Sequence, residues 1–144
     1  MAVSDRLPTR KTNVTGSESR TPAAGQVAAG TSLLLALMAS GFNGQRFAFH
    51  GYLPVAADDC KNRIALLEKE SQERDVTQIF IETPYRNDAL LKSLLATCHA
   101  RTRLCIASDL TLPTESIASA TVEALRKEAV VIGKRPAVFL LYAR

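Results

Sequence analysis

Three short stretches of this 144-residue chain combine charged or hydroxylated side chains with turn-forming ones: Glu82-Thr83-Pro84-Tyr85-Arg86, Ser108-Asp109-Leu110-Thr111 and Gly133-Lys134-Arg135. The first offers a carboxylate as a hydrogen-bond acceptor for a ligand, with Arg86 one turn further on to hold it; the same spacing suits a plain ion pair or helix-terminus contact. Asp109 with Thr111 makes either a ligand-facing pair or a capped turn. Lys134-Arg135 is either a solvated pair at a strand entrance or a cationic contact. No Ser/His/Asp or Cys/His set stands in a nucleophile context, and neither G-x-G-x-x-G nor a Walker glycine pattern occurs. By themselves these residues offer a ligand-binding edge on a small domain.

Metal chemistry finds little support. Cys60, Cys98 and Cys105 are an odd number at irregular spacing with no C-x-x-C pair, which reads as buried reduced thiols. His50 and His99 lack a second imidazole or a cysteine at helical spacing, so no metal site is expected.

The elements that must position the three stretches are legible from periodicity. Thr31 or Ser32 can cap a helix with Leu33, Leu34, Leu37 and Met38 on its apolar side, stopped by Gly41. Aromatics alternate along Phe47 to Leu53, a strand broken by Pro54. Asp58-Asp59 suit a helix N-terminus, and Cys60, Ile64 and Leu67 share a stripe on a helix running to about Arg74, with Lys61, Arg63, Glu68, Lys69 and Glu70 as its solvated face. Thr77 to Glu82 is a short strand, after which Thr83 as cap and Pro84 in the first turn start a helix lined by Leu90, Leu91, Leu94, Leu95 and Cys98. Arg103 to Ser108 and Ser116 to Thr121 are further strands, Thr121 caps two helical turns to Glu128, and Pro136 to Tyr142 reads as a strand buried on both faces. The order predicts an α/β domain with a mixed five-stranded sheet flanked by helices, and the first two candidate stretches fall at strand ends, where open α/β sheets form their ligand crevice.

Composition bounds the rest. Hydrophobic residues make up 47% of the chain, enough for one packed core, and no apolar run approaches the ~20 residues of a membrane span, which gives a cytoplasmic reading without membrane contact. The net charge of +4 is too mild and too spread to argue nucleic-acid binding on charge alone. Residues 1–26 are rich in Ser, Thr, Pro, Gly and Arg and are expected to form a disordered tail, leaving residues 27–144 as the domain.

The order and spacing of Gly30-Thr31-Ser32, Ser40-Gly41-Phe42, Phe47-Ala48-Phe49-His50-Gly51-Tyr52-Leu53-Pro54, Ile81-Glu82-Thr83-Pro84-Tyr85-Arg86, Ser108-Asp109-Leu110-Thr111 and Lys134-Arg135-Pro136-Ala137-Val138-Phe139 resemble the carboxyl-terminal half of the tetrapyrrole-methylase-like methyltransferases. Within that superfamily the chain looks closest to the branch of the ribosomal RNA small-subunit methyltransferase I enzymes, which methylate a ribose 2′-oxygen with S-adenosylmethionine. The resemblance implies two α/β domains with the cofactor in the cleft between them, and a homodimer. It implies Thr31, Ser32, Glu82, Thr83 and Ala137 on the cofactor side and Arg86 and Lys134 towards an RNA substrate; it names no catalytic residue. Thr31 replaces the family's proline in its Gly-Pro-Ser turn, and the family's amino-terminal domain has no counterpart in this sequence. Two expectations follow: a truncated methyltransferase, inactive alone and dependent on a supplied amino-terminal domain, or a catalytically silent binding or dimerisation module.

Overall fold

The computed structural model describes residues 33–144, so the expectations for the 1–26 tail and for Thr31 and Ser32 fall outside it. In chain order the elements are helix α1 (33–40), strand β1 (Phe47–Tyr52), helix α2 (Ala57–Arg74), strand β2 (Thr77–Ile81), a 3-10 turn (Pro84–Arg86), helix α3 (Asn87–Thr97), strands β3 (Arg103–Ser108) and β4 (Ser116–Thr121), helix α4 (Val122–Lys127) and strand β5 (Ala137–Tyr142). The five strands form one mixed sheet, as the alternation of apolar patterns predicts, and their order is β1-β2-β5-β3-β4. β1 and β2 are parallel, with α2 as the crossover that a parallel pair needs; the other three pairings are antiparallel.

β5 lies at the centre, and its sequence explains why. Ala137 to Leu141 are all buried, because a central strand covered on both faces has no side that can tolerate a polar residue. Phe80, Leu104, Ile106, Phe139 and Leu141 point to the side where α2, α3 and α4 pack, with the Phe80 and Phe139 rings stacked 6.0 Å apart. Ile79, Cys105, Ala107, Val138 and Leu140 point to the other side and meet Ala36 and Leu37 of α1.

Local signals explain the helix ends. Asp58 and Asp59 occupy the first turn of α2, where a carboxylate faces the positive end of the helix dipole. Asp75 closes α2 in the left-handed conformation (φ 55°) with its N–H bonded to the Ser71 carbonyl, a role aspartate tolerates better than most residues. Thr121 caps α4, its hydroxyl accepting the Ala124 N–H at 3.2 Å.

Three expectations need correction. Glu68 is not on the solvated face of α2: it is 5% exposed, its carboxylate bound to the turn after α3. Leu34 and Met38 are exposed, whereas Leu37 is buried as expected and Ala36 joins it, because the inward stripe of α1 is narrower than the apolar run suggests. Thr83 makes no side-chain cap, and α3 starts only at Asn87 after the 3-10 turn. Among the described residues no helix is long and apolar enough to cross a membrane.

Candidate ligand edge of the sheet

The topology collects the candidate stretches. Ile81 at the end of β2 pairs with Val138, and Ser108 at the end of β3 pairs with Ala137, the first residue of β5. The loops that follow β2 and β3 and the loop that precedes β5 therefore lie side by side at one edge. The parallel β1 ends at the same edge, and the Arg86 guanidinium reaches the Val55 carbonyl just beyond it at 3.4 Å.

Glu82 carries the first loop. One carboxylate oxygen accepts the Thr83 N–H at 2.8 Å and the other lies 3.4 Å from Arg86 Nε. The Glu82 side chain is 5% exposed and that of Arg86 40%, so the pair is screened on one side and contributes less than a buried pair would. Beneath it lies Cys60, whose thiol pKa is raised by burial first and by the Glu82 charge second. Of the two readings the sequence left open, the ion pair is the geometry present; Thr83 is exposed, with its hydroxyl free of any capping bond.

Asp109 and Thr111 form a closed turn. Asp109 accepts the Thr114 hydroxyl at 2.9 Å, its carbonyl accepts the Leu112 N–H at 3.0 Å, and Glu115 accepts the Thr111 N–H at 2.8 Å. Both residues adopt positive φ, 51° and 69°, a conformation that costs a threonine most because its branched Cβ crowds the backbone. Asp109 also faces Arg135 at 3.7 Å, which ties this turn to the loop before β5.

Lys134 is exposed, with its ammonium 5.0 Å from the centre of the Tyr85 ring. Ala137 is 8% exposed and Ser108 3%, so this part of the edge is built of small, nearly buried residues. Periodicity gave no hint of what holds the Lys134 loop. Asp88 accepts the N–H groups of Ile132 (2.8 Å) and Gly133 (3.1 Å), and the Asn87 amide donates to the carbonyls of Gly133 (3.3 Å) and Arg135 (2.7 Å). The one available signal was Asn87-Asp88 opening a helix, a pair of types rich in backbone-bonding side chains.

Elsewhere, an open groove of about 530 Å³ runs between β1 and α2, lined by His50, Arg63, Leu66, Lys69, Glu70 and Arg74 among others. It shares no residue with the loops above, and its mixed charge and openness give no convergent set of polar groups. Among the described residues no group of three His, Cys, Asp or Glu is placed to hold a metal.

No protein-family model matches the chain, and no curated protein matches it. Solved structures do. The methyltransferase CobJ is similar with 16% identity and a TM-score of 0.49, over 78% of this chain and 52% of that one. Uroporphyrin-III C-methyltransferase from Thermus thermophilus, complexed with S-adenosyl homocysteine, is similar with 18% identity and a TM-score of 0.45, over 76% of this chain and 48% of that one. The cobalamin biosynthetic enzyme cobalt precorrin-4 methyltransferase, CbiF, shows 16% identity and a TM-score of 0.45, over 81% and 48%. The chain spans about half the length of each.

Proposed function

We propose that this chain is the carboxyl-terminal, cofactor-facing part of an S-adenosylmethionine-dependent methyltransferase of the tetrapyrrole-methylase type. One observation carries the reading: residues from two separate segments that the sequence resemblance puts at the cofactor or substrate, Glu82-Thr83 and Lys134 to Ala137, lie together where β2 ends and β5 begins. The residues suit a flat, polar ligand. Ser108 and Ala137 stand opposite each other without side-chain bulk, the exposed Thr83 hydroxyl can bond a ligand, and the fixed Glu82 carboxylate can accept from a ligand hydroxyl. When bound, the cofactor supplies the methyl group; the chain's own residues contribute one wall of its site. Methyl transfer needs donor and acceptor held in line, so a single wall loses most of the positioning advantage, and activity is expected only with a second domain present.

Titration of the chain with S-adenosylhomocysteine, followed by amide NMR shifts, tests this reading. Weak binding with shifts concentrated on Glu82 to Arg86, Ser108 to Asp109 and Ala137 is expected; shifts confined to the β1–α2 groove, or none at saturating ligand, would overturn it. The acceptor, whether a ribose oxygen of ribosomal RNA or a tetrapyrrole carbon, belongs to the same proposal, as does cytoplasmic residence. Labelled methyl transfer to each acceptor, with an amino-terminal domain supplied, separates the acceptors.

A second reading, a silent binding or dimerisation module, draws on exposed apolar residues. Leu34, Met38, Phe47, Phe49 and Ile117 are all exposed, and Phe49 and Ile117 pair with Ile79 and Ala107, which places them on the α1 side of the sheet. A face of this kind favours self-association. Sedimentation at micromolar concentration that shows only monomer would count against it.

A further inference from the structure

Tyr85 is 80% exposed and sits on a turn whose backbone is held at several points. Pro84 fixes the first backbone angle of its turn, the Arg86 N–H bonds the Thr83 carbonyl at 2.9 Å, and Glu82 binds both the Thr83 N–H and the Arg86 side chain. Lys134, above the ring, is carried by a loop whose backbone is held by the four hydrogen bonds that Asn87 and Asp88 make to Ile132, Gly133 and Arg135. These contacts hold the backbone of the two loops that carry the solvent-facing Tyr85 and Lys134 side chains.

An exposed cation–aromatic pair is by itself a weak contact, so its two members are free to meet a ligand. The charges around it differ in their engagement. Arg86 is paired with Glu82 and Arg135 faces Asp109, whereas Lys134 has no ion pair among the described residues. A rigid aromatic ring offers contact area at little entropic cost, and an ammonium beside it offers a counter-charge.

We infer that Tyr85 and Lys134 form a recognition subsite for a flat ring carrying a neighbouring phosphate, the combination a nucleotide presents. The ring stacks on Tyr85 and the phosphate meets the Lys134 ammonium. This goes beyond the cofactor reading, since S-adenosylmethionine carries no phosphate, and it places the subsite on the outer side of the same edge.

Guanosine monophosphate, guanosine and ribose 5-phosphate, titrated separately into the full chain and followed by NMR of the tyrosine rings and of the Gly133 to Arg135 amides, test the inference. Guanosine monophosphate is expected to move the Tyr85 ring signals and these amides at millimolar concentration, with guanosine and ribose 5-phosphate each binding at least fivefold more weakly. Tyr85→Leu and Lys134→Met should each weaken binding at least fivefold, while Tyr52→Leu, a change to an exposed tyrosine on β1, leaves it unaltered. Unmoved Tyr85 signals, or wild-type affinity in Tyr85→Leu, would overturn the subsite. Saturating S-adenosylhomocysteine separates the two proposals. If it displaces the nucleotide from Tyr85, that ring belongs to the cofactor site and the inference falls while the methyltransferase reading stands. If the nucleotide binds where S-adenosylhomocysteine does not bind at all, the inference stands and that reading falls.

Discussion

Glu68 in α2 accepts the backbone N–H of His99 at 2.8 Å across 31 positions of sequence, and the same carboxylate oxygen accepts the Thr102 hydroxyl. The contact pins the turn between α3 and β3 to α2, and it also raises the pKa of the adjacent Cys98 thiol, already pushed up by burial, to about 12.

Removing that carboxylate leaves two donors without a partner. Glu68→Ala is therefore expected to lower the free energy of unfolding by about 3 kcal/mol, and Glu68→Gln, which keeps one acceptor oxygen, by clearly less. Urea denaturation of both variants measures this. Equal losses would show that charge rather than hydrogen bonding fixes the turn, and no loss would show that water replaces the carboxylate.

Two positions in the loops of the candidate edge share a backbone conformation and differ in residue type. Thr111 sits at φ 69° and Gly133 at φ 74°. A Cβ at Gly133 meets nothing within 4 Å, so Gly133→Ala isolates the conformational cost and should destabilise by about 1 kcal/mol. Thr111→Gly should stabilise by a similar or smaller amount, since glycine also gains freedom in the unfolded chain. Thermal unfolding midpoints moving in opposite directions would confirm the pair; a fall for Thr111→Gly would mean that the side chain supports its turn.

The thiols set an alkaline limit. Burial pushes Cys98 up to about 12 and Cys105 up to about 11, whereas an unfolded thiol titrates near 9. The folded state therefore keeps protons that the unfolded chain releases. Their stabilisation is fully present below about pH 9 and is lost as pH rises towards 11 and 12, at up to about 1.4 kcal/mol per pH unit for each thiol. Unfolding free energies measured from pH 8 to 11 should fall less steeply in Cys98→Ala than in the wild type. Parallel slopes would show that the Cys98 thiol loses its proton at the same pH in the folded and the unfolded chain.

The same contrast between local and distant partners decides what the sequence made readable. The end of α2 at Arg74, the Thr121 cap and the continuous burial of β5 each rest on neighbours within one turn or on a periodic pattern, and each is found where that pattern puts it. The partners of Glu68, Asn87 and Asp88 lie 31 to 48 positions away, so no local spacing announces them. Glu68 has the composition of a surface residue and is buried because its acceptors' partners arrive from another element. At the candidate edge the three stretches were visible as types, whereas their assembly depends on β5 lying between β2 and β3, an order that no periodicity encodes.

That order also has a kinetic consequence. Translation delivers β1 with β2 and then β3 with β4, each pair adjacent in the finished sheet, but β5, which joins the two pairs, emerges after all of them. Until Ala137–Tyr142 leaves the ribosome, β2 and β3 each keep an unpaired apolar edge, so the nascent chain holds two half-sheets with nothing to unite them. Ribosome stalling before Pro136 is thus expected to yield an aggregation-prone product rather than a smaller domain.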